Sequence, residues 1–262
     1  MATHIVYRLG AWIRHWLNEV DHHSVHSPFF FDLYQKVILG KTDEKLFSAI
    51  ETLRTNLLEN QTVVKVEELG AGSVLNSDTR SLAAIAGTSI SSRGRDELYA
   101  RLVAFSKAKR IVELGSCLGV TTLYLSHKKE NSVTTFEGIP SLANVALTNY
   151  EYFERKNIRL IEGNIDLTLP KYLLDSGKID FVLMDANHRY EPTIRYFNLL
   201  LRRLDINAVL VIDDIHHSPE MERAWKEMHQ HSLVYGSVDL FGCGLLFFDP
   251  ALNHQHFIWP SR

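Results

Sequence analysis

Acidic side chains end two of the apolar runs in this sequence. Asp185 follows the run 179–184, and the adjacent pair Asp213 and Asp214 follows the run 208–212. If both runs are parallel strands of one sheet, their carboxyl ends lie at the same edge, and the three side chains converge on one cleft. Two carboxylates about 4 Å apart repel by about 4 kcal/mol at an effective dielectric constant of about 20, so a cation or shifted pKa values must compensate. A divalent ion that prefers oxygen ligands, such as Mg²⁺, is the simplest compensating charge.

Histidines accompany both acidic positions. His188 comes shortly after Asp185, and His216 comes shortly after Asp214. The pKa of an imidazole lies near neutrality, so either side chain can accept a proton from a hydroxyl group that a metal ion has acidified. A structural role, or a place in the lining of a substrate site, is an equally good interpretation for each histidine taken alone.

A turn that contains two glycines precedes these positions in the chain. Residues 113–119 read Glu-Leu-Gly-Ser-Cys-Leu-Gly, between an apolar run and a helical pattern. Glycines there let the backbone approach a ligand, and the first amides of the following helix are available to bind it. Glu137 ends the next apolar run, where a carboxylate can accept hydrogen bonds from both hydroxyl groups of a ribose. Together these features indicate a nucleotide-like cofactor.

The elements that must position these residues alternate between strand and helix. From residue 110 onward, short apolar runs alternate with helical patterns, which is typical of βαβ units and a parallel sheet. The predicted parallel strands are 110–114, 132–136, 158–161, 179–184 and 208–212. Two further runs, 234–240 and 245–249, have only Phe241-Gly-Cys-Gly between them, so we expect them to pair antiparallel. Ser218 and Pro219 have the residue types of a helix N-cap and first position, which predicts a helix from there to about His229.

Residues 1–95 have a different pattern and are predicted to form a helical extension. The apolar residues of its first helix share one face, which we expect to pack on the core rather than lie on a membrane surface; they are Ile5, Leu9, Trp12, Ile13, Trp16 and Val20. Ser27 and Pro28 begin a predicted second helix, whose apolar residues are Phe30, Leu33, Tyr34, Val37 and Ile38. The extension is predicted to act as a lid or as the surface of a homodimer. Its aromatic residues, Trp12, Trp16, Phe29, Phe30 and Tyr34, are candidates for an apolar acceptor pocket or for the dimer core.

The glycine turn, the acidic strand end and the terminal hairpin resemble those of class I S-adenosylmethionine-dependent methyltransferases, over about residues 89–249. The resemblance implies a Rossmann-like, seven-stranded α/β sheet with an antiparallel last strand, in a cofactor-binding domain over 96–262. It further implies a set of cofactor-binding residues: Glu113, Gly115, Ser116, Gly119, Glu137, Gly138, Asn164 and Asp185. The segment 89–92, ahead of the first parallel strand, lies where related enzymes touch the cofactor.

The three acidic positions are similar to those of cation-dependent, catechol-type O-methyltransferases. The resemblance implies that Asp185, Asp213 and Asp214 hold Mg²⁺ or another divalent cation, with Asp214 where asparagine is usual. It also implies catalytic roles for His188, His216 and Asp185, with His188 where a lysine often acts as the base. The expected reaction is methyl transfer to a small hydroxylated acceptor, of which catechols and phenols are examples. Two alternatives stay open, an NAD(P)-dependent oxidoreductase and a non-catalytic protein that binds S-adenosylmethionine or a partner.

Composition excludes several other classes of protein. The chain has 262 residues, of which 45% are hydrophobic and 23% charged, with a formal net charge of −3, as in ordinary globular proteins. No apolar segment reaches the roughly 18 to 20 residues that span a bilayer, and the first residues lack a signal-peptide pattern, so the cytoplasm is the expected location. Scattered basic residues argue against a nucleic-acid partner. Cys117 and Cys243 lack metal-ligand spacing and are expected to be buried free thiols.

Three other patterns resemble known sites but are given other interpretations. The segment 68–73 reads Glu-Leu-Gly-Ala-Gly-Ser, yet no strand with a terminal acid follows it, so we interpret it as a loop that helps to close the site. Tyr152 and Lys156 have the spacing of short-chain dehydrogenases but lie on a helix away from the cleft. The cluster of His22, His23 and His26 is interpreted as a structural helix junction, with substrate contact as the alternative.

Overall fold

A computed structural model of the chain describes residues 2–20, 25–66 and 79–260. Helices dominate the part before the main sheet, and a short antiparallel ribbon interrupts them. In chain order the elements are α1 (Ala2–Asn18), α2 (Pro28–Leu33) with a π-helical continuation (Tyr34–Ile38), α3 (Ser48–Glu59), β1 (Val63–Lys65), β2 (Thr79–Ser81), α4 (Leu82–Ser89) and α5 (Arg93–Ser106).

The remaining described residues alternate between strand and helix, as the apolar runs predict. In chain order these elements are β3 (Arg110–Leu114), α6 (Val120–Leu125), β4 (Ser132–Glu137), α7 (Pro140–Tyr152), β5 (Ile158–Glu162), α8 (Ile165–Asp175), β6 (Ile179–Met184), α9 (Tyr190–Leu201), β7 (Leu204–Asp213), α10 (Pro219–His229), β8 (Gly236–Asp239), β9 (Cys243–Phe247) and β10 (Gln255–Ile258). Helix α10 begins as predicted, and the hydroxyl of its N-cap residue Ser218 accepts a hydrogen bond from the amide of Met221.

The main sheet confirms the predicted α/β class and corrects its strand number. Its order is β10-β8-β9-β7-β6-β3-β4-β5, which makes eight strands rather than seven. Strand β9 pairs antiparallel with both β7 and β8, as the missing crossover helix indicates, and the other pairs are parallel. The additional strand, β10, is a short edge strand with two polar residues, so it lacks the continuous apolar run of a central strand.

Helix α1 does not use its apolar face to contact the rest of the chain. Ala11 and His15 are buried on it, whereas Trp12 and Trp16 are 47% and 57% exposed and stack on each other. Leu9 and Ile13 are also exposed. The contacts that hold the helix are polar, because the hydroxyl of Tyr7 donates to Glu222, Arg14 pairs with Glu222, and His15 pairs with Asp239. The expectation that this face packs on the core is therefore wrong for Leu9, Trp12, Ile13 and Trp16, whereas Val20, just after the helix, does pack against the main core.

Helix α2 and the π-helical turn after it complete the core on one side of the sheet. The five predicted apolar residues, Phe30, Leu33, Tyr34, Val37 and Ile38, are all buried, in a cluster that also contains side chains from β3, β6, β7 and β9. The rings of Phe30 and Tyr34 contact that of Trp259 rather than a ligand cavity. These side chains therefore belong to the core.

Helix α5 crosses the predicted boundary between residues 95 and 96. Its residues Tyr99, Leu102 and Val103 are fully buried in the same cluster as the strands. The extension and the sheet thus share one core along this helix. Within the described ranges, no helix is long and apolar enough to cross a membrane. Cys117 and Cys243 are free thiols, and Cys243 is buried, whereas Cys117 is partly exposed.

Candidate functional site

A cleft of about 600 Å³ opens at the carboxyl edge of the main sheet. We call it the central cleft; its lining includes Gly115, Glu137, Asn164, Asp185, Asp213 and Asp214. Strands β3 and β6 are neighbours at its floor, and the chain leaves them in opposite directions, towards β4 on one side and β7 on the other. Ligands of open α/β sheets bind at such a switch in strand order. The three acidic residues therefore line one cleft, as the positions of the apolar runs predict.

The glycine turn after β3 is shaped by close backbone contact. Gly115 has a φ of +97°, and a Cβ atom there would lie 2.1 Å from the carbonyl oxygen of Asp185. Gly119 has a φ of +81°, and its Cβ would lie 2.6 Å from the ring of Tyr150. Both positions therefore require glycine, since a side chain would be strained and would have no space. At Gly115 the turn therefore exposes backbone atoms, without a side chain, to the central cleft.

Glu137 lies at the end of β4 and ties this turn to the next one. Its two carboxylate oxygens accept hydrogen bonds from the amides of Cys117, at 2.8 Å, and Ile139, at 2.9 Å. Burial raises the pKa of Glu137, and these amides with that of Gly138 oppose the rise. The carboxylate keeps an edge on the central cleft, where its further lone pairs can accept from a ligand hydroxyl.

Three of the residues predicted to bind a cofactor lie behind the turn rather than in the cleft. Glu113 is fully buried, and its Oε2 accepts hydrogen bonds from the hydroxyls of Thr122 and Thr135. Burial raises the pKa of Glu113 to about 8. Ser116 is buried as well, and its side-chain oxygen, like Oε1 of Glu113, has no partner among the described residues. With Gly119, these residues support the turn from inside and do not line the central cleft.

Two further segments that the sequence singles out also line the central cleft. Asn164 lines the cleft after β5, and its Oδ1 accepts the amide of Asp166 as the N-cap of α8. Residues 89–92, between α4 and α5, line the cleft as well, and so does Gly138 after β4. The predicted cofactor contacts at these positions therefore share one cavity with Gly115 and Glu137.

An arginine lies among the three carboxylates. Nη1 of Arg95 is 2.8 Å from Oδ1 of Asp213 and 3.4 Å from Oδ1 of Asp214. The buried hydroxyl of Tyr99 donates to the same Asp213 oxygen at 2.9 Å. Burial and the neighbouring Asp185 raise the pKa of Asp213, and Arg95 holds that rise back. The guanidinium of Arg95 thus supplies part of the positive charge that the three carboxylates need.

The three acidic residues do not fit the predicted divalent metal ion. Oδ1 of Asp213 already accepts from a guanidinium and a phenol, so a metal ligated there would have to displace Arg95. Oδ1 of Asp185 lies 3.3 Å from Nε2 of His188, so this carboxylate already has a partner within the site. No group of three histidine, cysteine or acidic side chains suited to a metal ion occurs in the part of the chain that the structure describes. This geometry does not favour a metal site built from Asp185, Asp213 and Asp214, and such a site stays a prediction.

His188 is placed in the central cleft beside Asp185. Its Nε2 lies 3.3 Å from Oδ1 of Asp185, in a turn where Asn187 and His188 both have positive φ angles. The amide nitrogen of the Asn187 side chain donates to the hydroxyl of Tyr196, which fixes this strained turn. Burial would lower the pKa of His188, but Asp185, with help from Asp214 and Asp213, outweighs it and raises the pKa to about 9.

His216 points away from the central cleft, and its neighbour His217 takes the place predicted for it. The Nε2 of His216 lies 2.8 Å from Oδ2 of Asp239, and the ring stacks on Phe241. His217 lines the cleft, with its ring centre 6.0 Å from that of His188. Asp214, shortly before the two histidines, has a φ of +53°, which is uncommon for a residue other than glycine.

Sequence reasoning missed Arg95, Tyr99 and His217. Arg95 and Tyr99 are four residues apart on α5, so they share a helix face, and that spacing is the only local signal that they act together. Their acidic partner Asp213 is more than a hundred positions away along the chain. His217 could have been weighed beside His216, since both follow the same strand.

Two of the three remaining patterns involve residues that the structure does not describe. The glycine-rich segment 68–73 lies outside the described residues, as do His22 and His23, and the predictions about them are not addressed by the structure. Tyr152 ends α7 and is 79% exposed, and it does not line the central cleft, in agreement with the interpretation that its spacing to Lys156 has no catalytic meaning.

Comparisons with known proteins agree with this geometry. Residues 112–215 match the family model of a methyltransferase domain. No curated protein matches the chain. The fold is similar to that of an O-methyltransferase from Bacillus cereus solved with S-adenosylhomocysteine, with 16% identity, a TM-score of 0.58, and coverage of 82% of this chain and 96% of that one.

Two further solved structures have the same likeness. One is the methyltransferase PaMTH1 from Podospora anserina with bound S-adenosylhomocysteine, at 14% identity and a TM-score of 0.58, over 86% of this chain and 97% of that one. The other is the O-methyltransferase TomG from Streptomyces achromogenes with S-adenosylmethionine, at 20% identity and a TM-score of 0.55, over 83% and 95%. The chain therefore has the fold of class I S-adenosylmethionine-dependent methyltransferases, and the predicted resemblance is confirmed.

Proposed function

We propose that this chain is an S-adenosylmethionine-dependent O-methyltransferase that acts on a small hydroxylated acceptor. The observation that carries the proposal is the convergence, in one cleft, of the glycine turn at Gly115, the carboxylate of Glu137 and the paired side chains of Asp185 and His188. The glycine turn and Glu137 are suited to hold a nucleoside with an attached amino acid. The pair of Asp185 and His188 is suited to accept and release a proton. The volume of about 600 Å³ is within the range of ligand sites.

Five lining residues are proposed to hold the cofactor: Gly115, Glu137, Gly138, Asn164 and Asp185. Glu137 accepts from the ribose hydroxyls, and Asp185 accepts from the amino group of the methionine part. When bound, the cofactor supplies an activated methyl group. Glu113, Ser116 and Gly119 contribute indirectly, because they fix the shape of the turn on which Gly115 lies.

His188 is proposed to accept the proton of the acceptor hydroxyl. With a pKa of about 9 in the empty site, the imidazole is protonated at neutral pH and must lose that proton before it can act as a base. A cationic cofactor beside Asp185 lowers this pKa, because a like charge disfavours the imidazolium. Binding of the cofactor therefore prepares the base. His217, whose ring centre lies 6.0 Å from that of His188, is proposed to line the acceptor site.

The acceptor is proposed to be an oxygen nucleophile of the catechol or phenol class. Support comes from the base in the cleft, which suits a weakly acidic hydroxyl group, and from the similarity of the fold to two O-methyltransferases. Phenols are more acidic than aliphatic alcohols, so transfer of a phenolic proton to an imidazole costs less free energy.

Calorimetric titration with S-adenosylhomocysteine tests this proposal, with NAD as the control ligand. Micromolar binding of S-adenosylhomocysteine and no heat with NAD would support it, and a screen of catechols and phenols with S-adenosylmethionine would then follow. Binding of NAD alone would instead favour an oxidoreductase. Silence with both ligands would remove the basis of the cofactor assignment.

A further inference from the structure

The positive charge of Arg95 lies where a divalent ion would have to lie to join the carboxylates of Asp213 and Asp214. Its Nη1 is within hydrogen-bond distance of Oδ1 of Asp213, at 2.8 Å, and within 3.4 Å of Oδ1 of Asp214. Tyr99 holds the same Asp213 oxygen from the protein side and is fully buried. The guanidinium therefore has a fixed partner on one side and the open cleft on the other.

Arg95 retains donors that the carboxylates do not use. A guanidinium has five N–H groups, and among the described residues only Nη1 makes hydrogen bonds. The side chain is 29% exposed. It lines the central cleft and also a second cavity of about 740 Å³, which α5 shares with residues 38–44 and the hairpin at 240–243. A ligand in either cavity can reach the guanidinium.

The backbone makes room for this guanidinium. A Cβ atom on Gly242 would lie 2.1 Å from Nη2 of Arg95 and 3.0 Å from its Cζ. The carbonyl of Gly242 accepts the amide of Asp214 at 2.7 Å, so the same residue also fixes the turn that carries one of the carboxylates. The absence of a side chain at position 242 therefore permits the arginine to lie against the acidic pair.

We propose that Arg95 is the resident cation of this site: it takes the place of a divalent metal ion, and its remaining N–H groups hold the acceptor oxygen. The second half of this inference rests on the proposed methyltransferase function. A guanidinium stays charged at every pH that the enzyme meets and forms strong hydrogen bonds to anionic oxygen. It thus stabilises the ionised acceptor without a metal.

The step balances with the residues that line the cleft. The hydroxyl proton of the acceptor passes to the neutral imidazole of His188, and the acceptor oxygen keeps the electron pair under the charge of Arg95. That pair forms the new bond to the methyl carbon, and the sulfur keeps the pair of the broken carbon–sulfur bond. No oxidant, reductant or metal ion enters the balance.

Binding of Mn²⁺ alone tests the first half, because it requires neither cofactor nor acceptor. Loss of the free-ion signal in electron paramagnetic resonance measures the bound fraction. We compare the wild type with Arg95→Ala and with the matched Arg93→Ala, which removes an arginine of the same helix whose partner is Glu97. A double variant, Arg95→Ala with Asp213→Asn, tests whether the acidic residues are the ligands.

We expect the wild type and Arg93→Ala to bind Mn²⁺ weakly and alike, and Arg95→Ala to bind about one equivalent at least about tenfold more tightly. The double variant should lose this gain. Tight binding to the wild type that Asp213→Asn abolishes would overturn the proposal, as would equal, weak binding to Arg95→Ala and Arg93→Ala. Arg95→Gln, which retains volume, replaces Arg95→Ala if the latter does not fold.

The spectrum of 4-nitrocatechol tests the second half, because its visible absorption reports ionisation of its hydroxyl groups. In the presence of EDTA and S-adenosylhomocysteine, we expect the wild type and Arg93→Ala to shift the probe towards its ionised form, and Arg95→Gln to lose that shift. No shift with the wild type, or an unchanged shift with Arg95→Gln, would overturn the role in holding the acceptor. Failure of S-adenosylhomocysteine to bind would instead count against the proposed function, and the Mn²⁺ comparison would still decide whether Arg95 is the resident cation.

Discussion

Gly115 lies against the carbonyl group of Asp185, so close that a Cβ atom at position 115 would be 2.1 Å from that oxygen. The two residues belong to adjacent strand ends, and the amide of Asp185 donates to the carbonyl of Leu114 at 2.9 Å. The glycine turn and the acidic end of β6 are therefore one rigid unit. A change on either side must disturb the other.

Substitution of Gly115 by alanine should damage both stability and cofactor binding. Residue 115 has a φ of +97°, and its new methyl group would collide with backbone, so we expect the free energy of unfolding to fall by about 1–3 kcal/mol. Urea denaturation measures this loss, and calorimetry measures binding of S-adenosylhomocysteine. Gly87→Ala is the matched control, because no atom lies within 4 Å of its added Cβ. Equal behaviour of the two variants would contradict the argument.

Loss of the charge on Glu137 should reduce the affinity for the cofactor much more than it reduces the stability of the fold. Glu137→Gln replaces an oxygen that accepts a backbone amide, and we expect binding of S-adenosylhomocysteine to fall by about tenfold to a hundredfold. Glu162, which pairs with Glu137 in register across β4 and β5, is the matched control. An equal effect of Glu162→Gln would show that the assignment of Glu137 to the ribose is wrong.

The pKa of His188 should depend on Asp185. The free protein should show a histidine that titrates near pH 9 in NMR spectra of carbon-labelled imidazoles, and that resonance should be absent from His188→Gln. In Asp185→Asn the pKa should fall, because burial lowers it and the largest opposing interaction is gone. Asp166→Asn, which removes an exposed carboxylate paired with Arg195, should leave the titration unchanged.

The same pKa makes His188 contribute to stability in a defined pH range. The folded protein holds the proton more tightly than the unfolded chain, whose histidines have a pKa of about 6.5. The contribution is therefore fully present below about pH 6.5 and is lost as the pH rises to about 9. The difference in unfolding free energy between the wild type and His188→Gln should shrink between pH 6 and pH 9.5. If the difference in unfolding free energy stayed constant across that range, the pKa of His188 would not be raised in the folded protein.

Glu113 should give a dependence on pH in the same direction, over a range that begins at lower pH. Its pKa is raised to about 8 in the folded protein, so folding takes up a proton above the ordinary pKa of a glutamate, and the stability falls from about pH 4.5 to pH 8. Glu113→Gln removes the proton uptake and keeps the shape. Relative to the wild type, this variant should gain stability as the pH rises. Urea denaturation at pH 5, 7 and 9 measures the trend, and an equal difference at all three values would contradict it.

The parts of the fold that could be predicted are those in which burial decides the sequence locally. Strands β3 and β6 match their apolar runs from end to end, because central parallel strands are covered on both faces. Helix α1 shows where this reasoning fails. Its apolar stripe is clear, but its contacts are made by the polar residues Tyr7, Arg14 and His15, whose partners are distant in the chain.

Some features of the candidate site could likewise be predicted from the sequence, and others could not. Asp185, Asp213 and Asp214 could be placed together because strand ends meet at one edge. The need for a cation followed from their repulsion. The identity of the cation could not be predicted, because Arg95 is far from Asp213 in the sequence and no local pattern indicates that they pair. Which of His216 and His217 faces the cleft could not be predicted, because both follow the same strand and the contact that holds His216, with Asp239, is distant in the chain.

Helix α5 also determines how the chain can be dissected. It carries Arg95 at the cleft, at one end, and Leu102 and Val103 in the main core, towards the other. A fragment cut between residues 95 and 96 would therefore break a helix and discard the arginine that neutralises Asp213. Deletion mapping, domain exchange and minimal expression designs must retain the start of α5. The helical extension and the main sheet can therefore be separated only by cutting into the core that they share along this helix.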